Sequence, residues 1–291
     1  MTWSRVAIVG LGLIGGSLGL ALRRAANTAH HPPAPRISGW DQSTAARQLA
    51  LAIGAIDSAP DNLEHAVRDA ELVIVAVPVL AVRDVFAALG PVLQPGAVVT
   101  DVASTKALVC GWAADLLPCA FVGGHPMAGS ERSGMAHARA DLFDGATYCL
   151  TPTEDTPQTA VATVTRLVAI AGARPKLMDP ATHDRVVAAV SHLPFLLSTL
   201  LMELTTTSPE WALLRTLAAT GFRDVSRLAS GDPRMHTDIC LTNATAIRPW
   251  LRDAARMLET LAGELDDATA LQQRFEHAKE ARDDLLAGDT A

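Results

Sequence analysis

Three groups of residues in this chain have types and spacings that can do chemistry. The first is Gly10-Leu-Gly12-Leu13-Ile14-Gly15, which follows an apolar run and opens a helical pattern. Glycines at this spacing allow a tight turn at Gly10, backbone approach to a pyrophosphate at Gly12, and close helix–strand packing at Gly15. The phosphates would rest on the free N–H groups of the helix start, where Leu13 and Ile14 form the first turn. Asp41 ends the next β-branched run, 26 residues after Gly15. A carboxylate there accepts hydrogen bonds from ribose hydroxyls and repels a 2′-phosphate, so the expected cofactor is NAD rather than NADP. The spacing is long because a proline-rich loop, Asn27–Pro35, intervenes. His30 and His31 in it read as a solvated loop, not a metal site.

The second group lies where further apolar runs end. Val77 and Pro78 close the third run, and proline there stops a strand and turns the chain outward. Thr100–Lys106 follows the fourth run, and Gly123–Glu131 follows the fifth. In open α/β sheets ligands sit beyond the carboxyl ends of the strands, so all of these should border the cofactor. His125, held between glycines and a proline, is poorly explained by core packing. Histidine titrates near neutrality and is suited to remove a hydroxyl proton during hydride transfer. Ser104 either holds that hydroxyl or the nicotinamide edge, or caps the following helix.

The third group lies further along. Asp179-Pro180 with His183 and Asp184 reads as a helix start. Ser191 and His192 interrupt an apolar helix, where buried polar groups need partners. Gly221–Arg227 is a compact polar cluster followed by Asp232-Pro233. Residues of these types serve as caps and interhelix ion pairs, and an arginine among them can grip a carboxylate through two parallel hydrogen bonds.

The elements that must position these groups change character near residue 178. Before it, seven short runs alternate with helical patterns: 5–10, 36–41, 72–78, 97–102, 119–124, 147–152 and 174–178. Several are apolar throughout, as strands buried on both faces are. The expected fold is α/β, a Rossmann-type doubly wound parallel sheet, followed by an all-helical domain. The domains divide as 1–178 and 179–291. In the second, Leu258, Leu261, Leu265 and Phe275 suit one helical face.

Composition narrows the function classes. The chain has 291 residues, 49% hydrophobic and 19% charged, with a net charge of −7. That charge argues against a nucleic-acid partner. The four cysteines, Cys110, Cys119, Cys149 and Cys240, show no metal-type spacing and suit reduced thiols in a cytoplasmic protein. Val6–Leu22 is uncharged but holds five glycines, and the apolar stretch 186–201 is broken by Ser191, His192 and Pro194. Neither reads as a membrane span.

Taken together, Gly10–Leu18 (GLGLIGGSL), Thr100–Lys106 (TDVASTK), Val122–Gly134 (VGGHPMAGSERSG), Leu150–Glu154 (LTPTE), Thr182–Pro194 (THDRVVAAVSHLP) and Gly221–Arg227 (GFRDVSR) resemble the prephenate/arogenate dehydrogenase family of tyrosine biosynthesis. The resemblance covers nearly the whole chain in order. It implies an NAD-dependent oxidative decarboxylation of prephenate to 4-hydroxyphenylpyruvate, of arogenate to tyrosine, or of both. It implies a helical domain that forms a homodimer, and no metal. His125 resembles the base on the ring hydroxyl, and Ser104 the group that orients hydroxyl and nicotinamide. Arg227 resembles the substrate-carboxylate binder, Glu131 and Asp224 match acidic positions at the substrate mouth, and His192 lies in the SHLP segment. Many prephenate-using members read SHLPH, where this chain has Phe195. Phenylalanine donates no hydrogen bond, and His236 is the candidate replacement donor. Two rival readings are another small-substrate NAD(P) hydroxyacid or imine oxidoreductase, which has no use for GGHPMAG, and a non-catalytic NAD sensor, which has no use for His125 or Arg227.

Overall fold

The structure is a computed structural model that describes residues 3–26, 35–129 and 132–288. By its contacts the chain divides into two compact units, 1–244 and 245–291. The first begins with β1 (Arg5–Val9), α1 (Leu13–Ala26), β2 (Arg36–Trp40), α2 (Thr44–Ala52), α3 (Leu63–Val67), β3 (Leu72–Val75), α4 (Val82–Leu89) and β4 (Val98–Asp101). It continues with α5 (Ala107–Leu116), β5 (Ala120–Pro126), β6 (Thr147–Thr151), α6 (Gln158–Ile170) and β7 (Arg174–Leu177). The helices α7 (Pro180–Val187), α8 (Leu193–Thr206), α9 (Trp211–Leu217), α10 (Thr220–Ser226) and α11 (Pro233–Thr242) follow.

All seven expected strands form one sheet, in the order β2-β1-β3-β4-β5-β6-β7. The first five are parallel, each joined through helix to the next as a right-handed crossover requires. β3 and β4 are buried along their whole length; β3 accordingly reads as an unbroken apolar run, while β4 ends in the buried polar pair Thr100-Asp101. The sheet is not wholly parallel, as expected from sequence, because β6 runs antiparallel to β5 and β7 follows β6. The link between β5 and β6 holds only a short 3₁₀ turn, Met135–His137, among its described residues. Without a crossover helix the chain returns alongside itself. β5 is accordingly longer than expected, and His125 lies inside it, opposite Cys149 of β6.

Two apolar cores cover the faces of the sheet. One gathers Ile8, Leu18, Ile74, Phe143, Tyr148 and Val164, the other Val9, Val75, Phe86, Val99 and Val109.

The stretch from α7 to α8 is one helical run with a π-turn at Ala188–His192. Pro194, at the start of α8, has no N–H to give the carbonyl four residues earlier. The ladder widens just before it, with the Leu193 N–H donating to the Ala188 carbonyl. By length and composition this run, Pro180–Thr206, is the one candidate membrane span among the described residues. It carries buried His183, Asp184, His192 and Ser198, all hydrogen-bonded within the first unit. Those polar groups tie one side of the run to the first unit, while Val190 and Leu204 on it are exposed.

The second unit consists of α12 (Ala244–Gly263) and α13 (Ala268–Gly288). Arg274 pairs with Glu264 across the turn between them. Leu258, Leu265 and Phe275 are exposed, so their stripe has no cover among the described residues.

Candidate active site

The glycine motif occupies the turn between β1 and α1. Gly10 has φ +97°, and a Cβ there would lie 2.3 Å from the Ala76 carbonyl oxygen at the end of β3. A Cβ on Gly15 would lie 2.0 Å from the Gly10 carbonyl oxygen, so both positions must be glycine to close the turn. Gly12 is different, because a Cβ there would meet nothing within 4 Å. The space above Gly12 is open, as a pyrophosphate resting against its backbone requires. Asp41 is tied to this turn. Its Oδ2 accepts from the Leu11 N–H at 2.8 Å and its Oδ1 from the Ser43 N–H at 2.7 Å. The residues present therefore fit a dinucleotide. Leu13 and Ile14 are half-buried in the first turn of α1. Val77 is half-buried beside Gly10, and Pro78 is exposed.

The strand register lines up the other exits. Val9, Val75 and Asp101 stand side by side at the ends of β1, β3 and β4, and Thr100 pairs with Val122 of β5. The glycine turn, Val77-Pro78, Ser104 and His125 thus share one edge of the sheet. At nearly 5 Å per strand, three steps make that edge about 14 Å wide from β1 to β5. Helix α11 packs on the turn Val79–Ala81 that follows Pro78.

A buried ionic clamp holds β4, β5 and the intervening loop together. Lys106 and Asp101 are fully buried and paired. The Lys106 ammonium also donates to the Gly124 carbonyl at 2.7 Å. Asp101 accepts from the backbone N–H groups of Ala103 at 2.9 Å and Gly124 at 3.1 Å. This leaves no room for side chains at the two glycines before His125. A Cβ on Gly123 would lie 2.3 Å from the Thr151 hydroxyl, and one on Gly124 2.5 Å from the Asp101 carbonyl oxygen.

His125 is buried, and its Nδ1 lies 2.9 Å from Nε2 of His183 on α7. His183 Nδ1 lies 2.8 Å from an oxygen of Asp184. The same carboxylate accepts the Lys106 N–H at 2.7 Å and the Ala107 N–H at 2.9 Å. It thereby caps α5 from another element, which Ser104 does not do. Ser104 is half-buried with no hydrogen-bond partner among the described residues. Burial pushes the His125 imidazole well below the usual histidine range, and His183, Lys106 and His192 push the same way.

His192 joins this layer from the π-turn. Its Nδ1 lies 3.2 Å from the Asn243 amide, which also donates to the Asp184 carbonyl at 2.8 Å. Its Nε2 is buried with no partner among the described residues. Burial, the largest cause, lowers its pKa to about 4. Phe195 lies near His192 and stacks face to face on His236, with centroids 4.0 Å apart. His236 is half-buried, and burial lowers its pKa too.

The structure thus gathers His125 with His183, and His192 with Phe195 and His236. Arg227 and Asp224 are not tied to this network. They lie exposed at the end of α10, on a turn that packs against α8, and neither has a hydrogen bond or ion pair among the described residues. Glu131, His30 and His31 lie outside the described residues. His183, Asp184, Lys106, Asp101 and Asn243 escaped identification as site residues. The polar run 100–106 and the pair His183-Asp184 were visible, but their partners lie up to 137 residues away.

The fold and this edge define a dinucleotide-binding oxidoreductase with a helical C-terminal half. Residues 19–177 match the family model for the prephenate dehydrogenase nucleotide-binding domain, and residues 179–278 the model for its dimerization domain. A prephenate dehydrogenase of Bacillus subtilis is 37% identical over 290 residues, covering 96% of this chain and 76% of that protein. The prephenate dehydrogenase of A. aeolicus, crystallised with hydroxyphenyl propionate and NAD+, superposes with a TM-score of 0.88 at 29% identity, over 99% of both chains. The arogenate dehydrogenase of Synechocystis does so at 0.82 and 31% identity, over 97% of this chain and 99% of that one. The chain belongs to the prephenate dehydrogenase family.

Proposed function

We propose that the protein oxidises and decarboxylates prephenate, arogenate or both, using NAD, in the cytoplasm. The observation that carries this reading is a buried histidine base on the same sheet edge as a dinucleotide cradle. Gly10, Gly12, Leu13, Ile14 and Gly15 hold the pyrophosphate, Asp41 the ribose, and Val77, Pro78 and Ser104 border the nicotinamide half. Bound NAD supplies a hydride acceptor. His125 takes the proton of the ring hydroxyl, which its depressed pKa leaves it free to do at neutral pH. Ser104 orients that hydroxyl. Loss of CO₂ then makes the ring aromatic, so the reverse reaction is negligible. Arg227 is free to grip a substrate carboxylate, with Asp224, His192 and His236 around the mouth.

In this reading residues 1–178 carry the cofactor and 179–291 the substrate and the subunit contact. The partner is a second copy of the chain, not a nucleic acid or a membrane.

The test is NADH formation by the purified protein with each substrate, using NAD and NADP in parallel. Turnover with neither substrate overturns the reading. His125→Asn should cut kcat by about 10³-fold or more while NAD binding, followed by fluorescence titration, is kept. Unchanged kcat removes His125 as the base.

A further inference from the structure

The base at residue 125 can act only through a nitrogen that lacks a proton. Which nitrogen that is follows from the chain of contacts beneath it. Asp184 is an acceptor, and its two oxygens already take the N–H groups of Lys106 and Ala107 at the start of α5. His183 Nδ1, 2.8 Å from that carboxylate, must therefore carry the proton and donate it. In neutral His183 the other nitrogen, Nε2, is bare and can only accept. Across the 2.9 Å contact His125 Nδ1 must then be the donor. The proton of His125 sits on Nδ1, and Nε2 is left with its lone pair. Among the described residues Nε2 has no hydrogen-bond partner.

We infer that His183 and Asp184 are positioning residues of the reaction: Asp184 sets the tautomer of His183, and His183 sets the tautomer of His125, leaving Nε2 as the atom that removes the hydroxyl proton. The inference rests on the reading of His125 as the base. Nothing is oxidised or reduced in this relay. The proton from the hydroxyl arrives on Nε2, while the Nδ1 proton stays shared with His183. The bare Nε2 of His183 faces the imidazolium that forms, and the Asp184 carboxylate lies behind it. Burial and the T-shaped contact of the two rings, 5.1 Å apart, keep both from turning. The buried clamp of Lys106 and Asp101 fixes the strand that carries His125.

The experiment reads the tautomer directly, without turnover, by long-range ¹H–¹⁵N correlation on histidine-labelled protein at pH 7.5. His125→Asn identifies the signal. His125 is expected protonated at Nδ1 and bare at Nε2. A proton on Nε2 in the unmodified protein overturns the inference, whatever the substrate proves to be. Asp184→Asn replaces an acceptor by an amide that can donate to His183 Nδ1. It should move the His183 proton to Nε2 and the His125 proton to its own Nε2. Kinetics form the second arm, and they also serve if Asp184→Asn fails to fold. His183→Asn keeps a donor toward Asp184 but removes the acceptor under His125. It should lower kcat by about 10²-fold or more with KM within about twofold. His183→Gln restores an acceptor oxygen near the Nε2 position and should regain at least tenfold of that loss. If His125→Asn kills turnover while His183→Asn keeps full kcat, the positioning role is refuted and the base assignment stands. If neither substrate turns over, the functional reading fails, and the tautomer alone decides the relay.

Discussion

At the scale of single residues, the proposed reaction depends on a histidine that is hard to protonate. Burial is the largest reason that His125 titrates well below the ordinary value near 6.5. The sign of the consequence is fixed. A general base works when neutral, and lowering its pKa extends the neutral range toward acid. The acidic limb of kcat/KM, which reports the free enzyme, should therefore fall well below pH 6.5, with a plateau through neutrality. A profile of kcat/KM from about pH 4.5 to 8.5 checks this, and a limb at or above 6.5 would contradict the buried setting of the base. Phe195 illustrates a different residue-scale change. Where relatives in the SHLPH pattern carry a donor, this chain stacks an aromatic ring on His236. In the proposed site His236 on α11 is the donor, and the stacked ring of Phe195 holds it.

The glycine turn belongs to the scale of elements, and it separates two roles that one motif combines. Gly10→Ala would drive a Cβ into the Ala76 carbonyl at the positive φ of 97°. It should lower the melting temperature by several degrees, as strain of a few kcal/mol in a chain of this size implies. Gly12→Ala meets no protein atom, so stability should hold while the KM for NAD rises at least tenfold. Calorimetry and initial rates on the two variants test the division. Equal loss of stability in both would refute it.

How far these elements could be foreseen follows from the range of the interactions that make them. All seven strands were legible, the buried ones because apolar runs are a local signal, and the exposed β7, Arg174–Leu177, from its place in the alternation of strand and helix. The cradle was legible for the same reason, as strand, glycines and helix are contiguous. The reversal of β6 was not, because strand direction depends on what lies between β5 and β6 rather than on the strands themselves. His125 could be singled out by its glycines, yet its support could not. His183 is 58 residues further on, and the pair His183-Asp184 looks like the ordinary opening of a helix capped by Asp179. The same holds for Lys106, whose burial exists only because Asp101 and the Gly124 carbonyl close around it. The role proposed for Arg227 comes from the resemblance, and the residue lies exposed just past α10.

For the whole molecule, the helices after residue 178 present far more apolar surface than a monomer needs. Leu204 and Leu217 are 74% and 73% exposed, and Val190, Leu213 and Val225 are about as open. The family model that covers this stretch is a dimerization domain. Exposed large apolar side chains in this number mark an association surface. Light scattering after size exclusion should give the mass of a dimer. Leu204→Glu with Leu217→Glu should shift it toward the monomer mass of 30.6 kDa. A double variant that elutes unchanged would place the subunit contact elsewhere. The net charge of −7 bears on the same scale. An anionic substrate approaches a chain that repels it overall, so capture falls to local cations and rises with ionic strength that screens the repulsion.

The amide of Asn243 touches both the Asp184 carbonyl and His192. Those contacts span more than fifty residues and close the layer beneath the base from the far end of the first unit. During synthesis on the ribosome, β1 to β5 emerge early and can pair as they appear. The imidazole of His125 then waits for His183, and Asp184 and His192 wait for Asn243. On the proposed mechanism, nascent chains that have already built their nucleotide cradle cannot react until Asn243, just past α11, is out. Competence to bind cofactor and competence to react arrive at different moments in the life of each molecule.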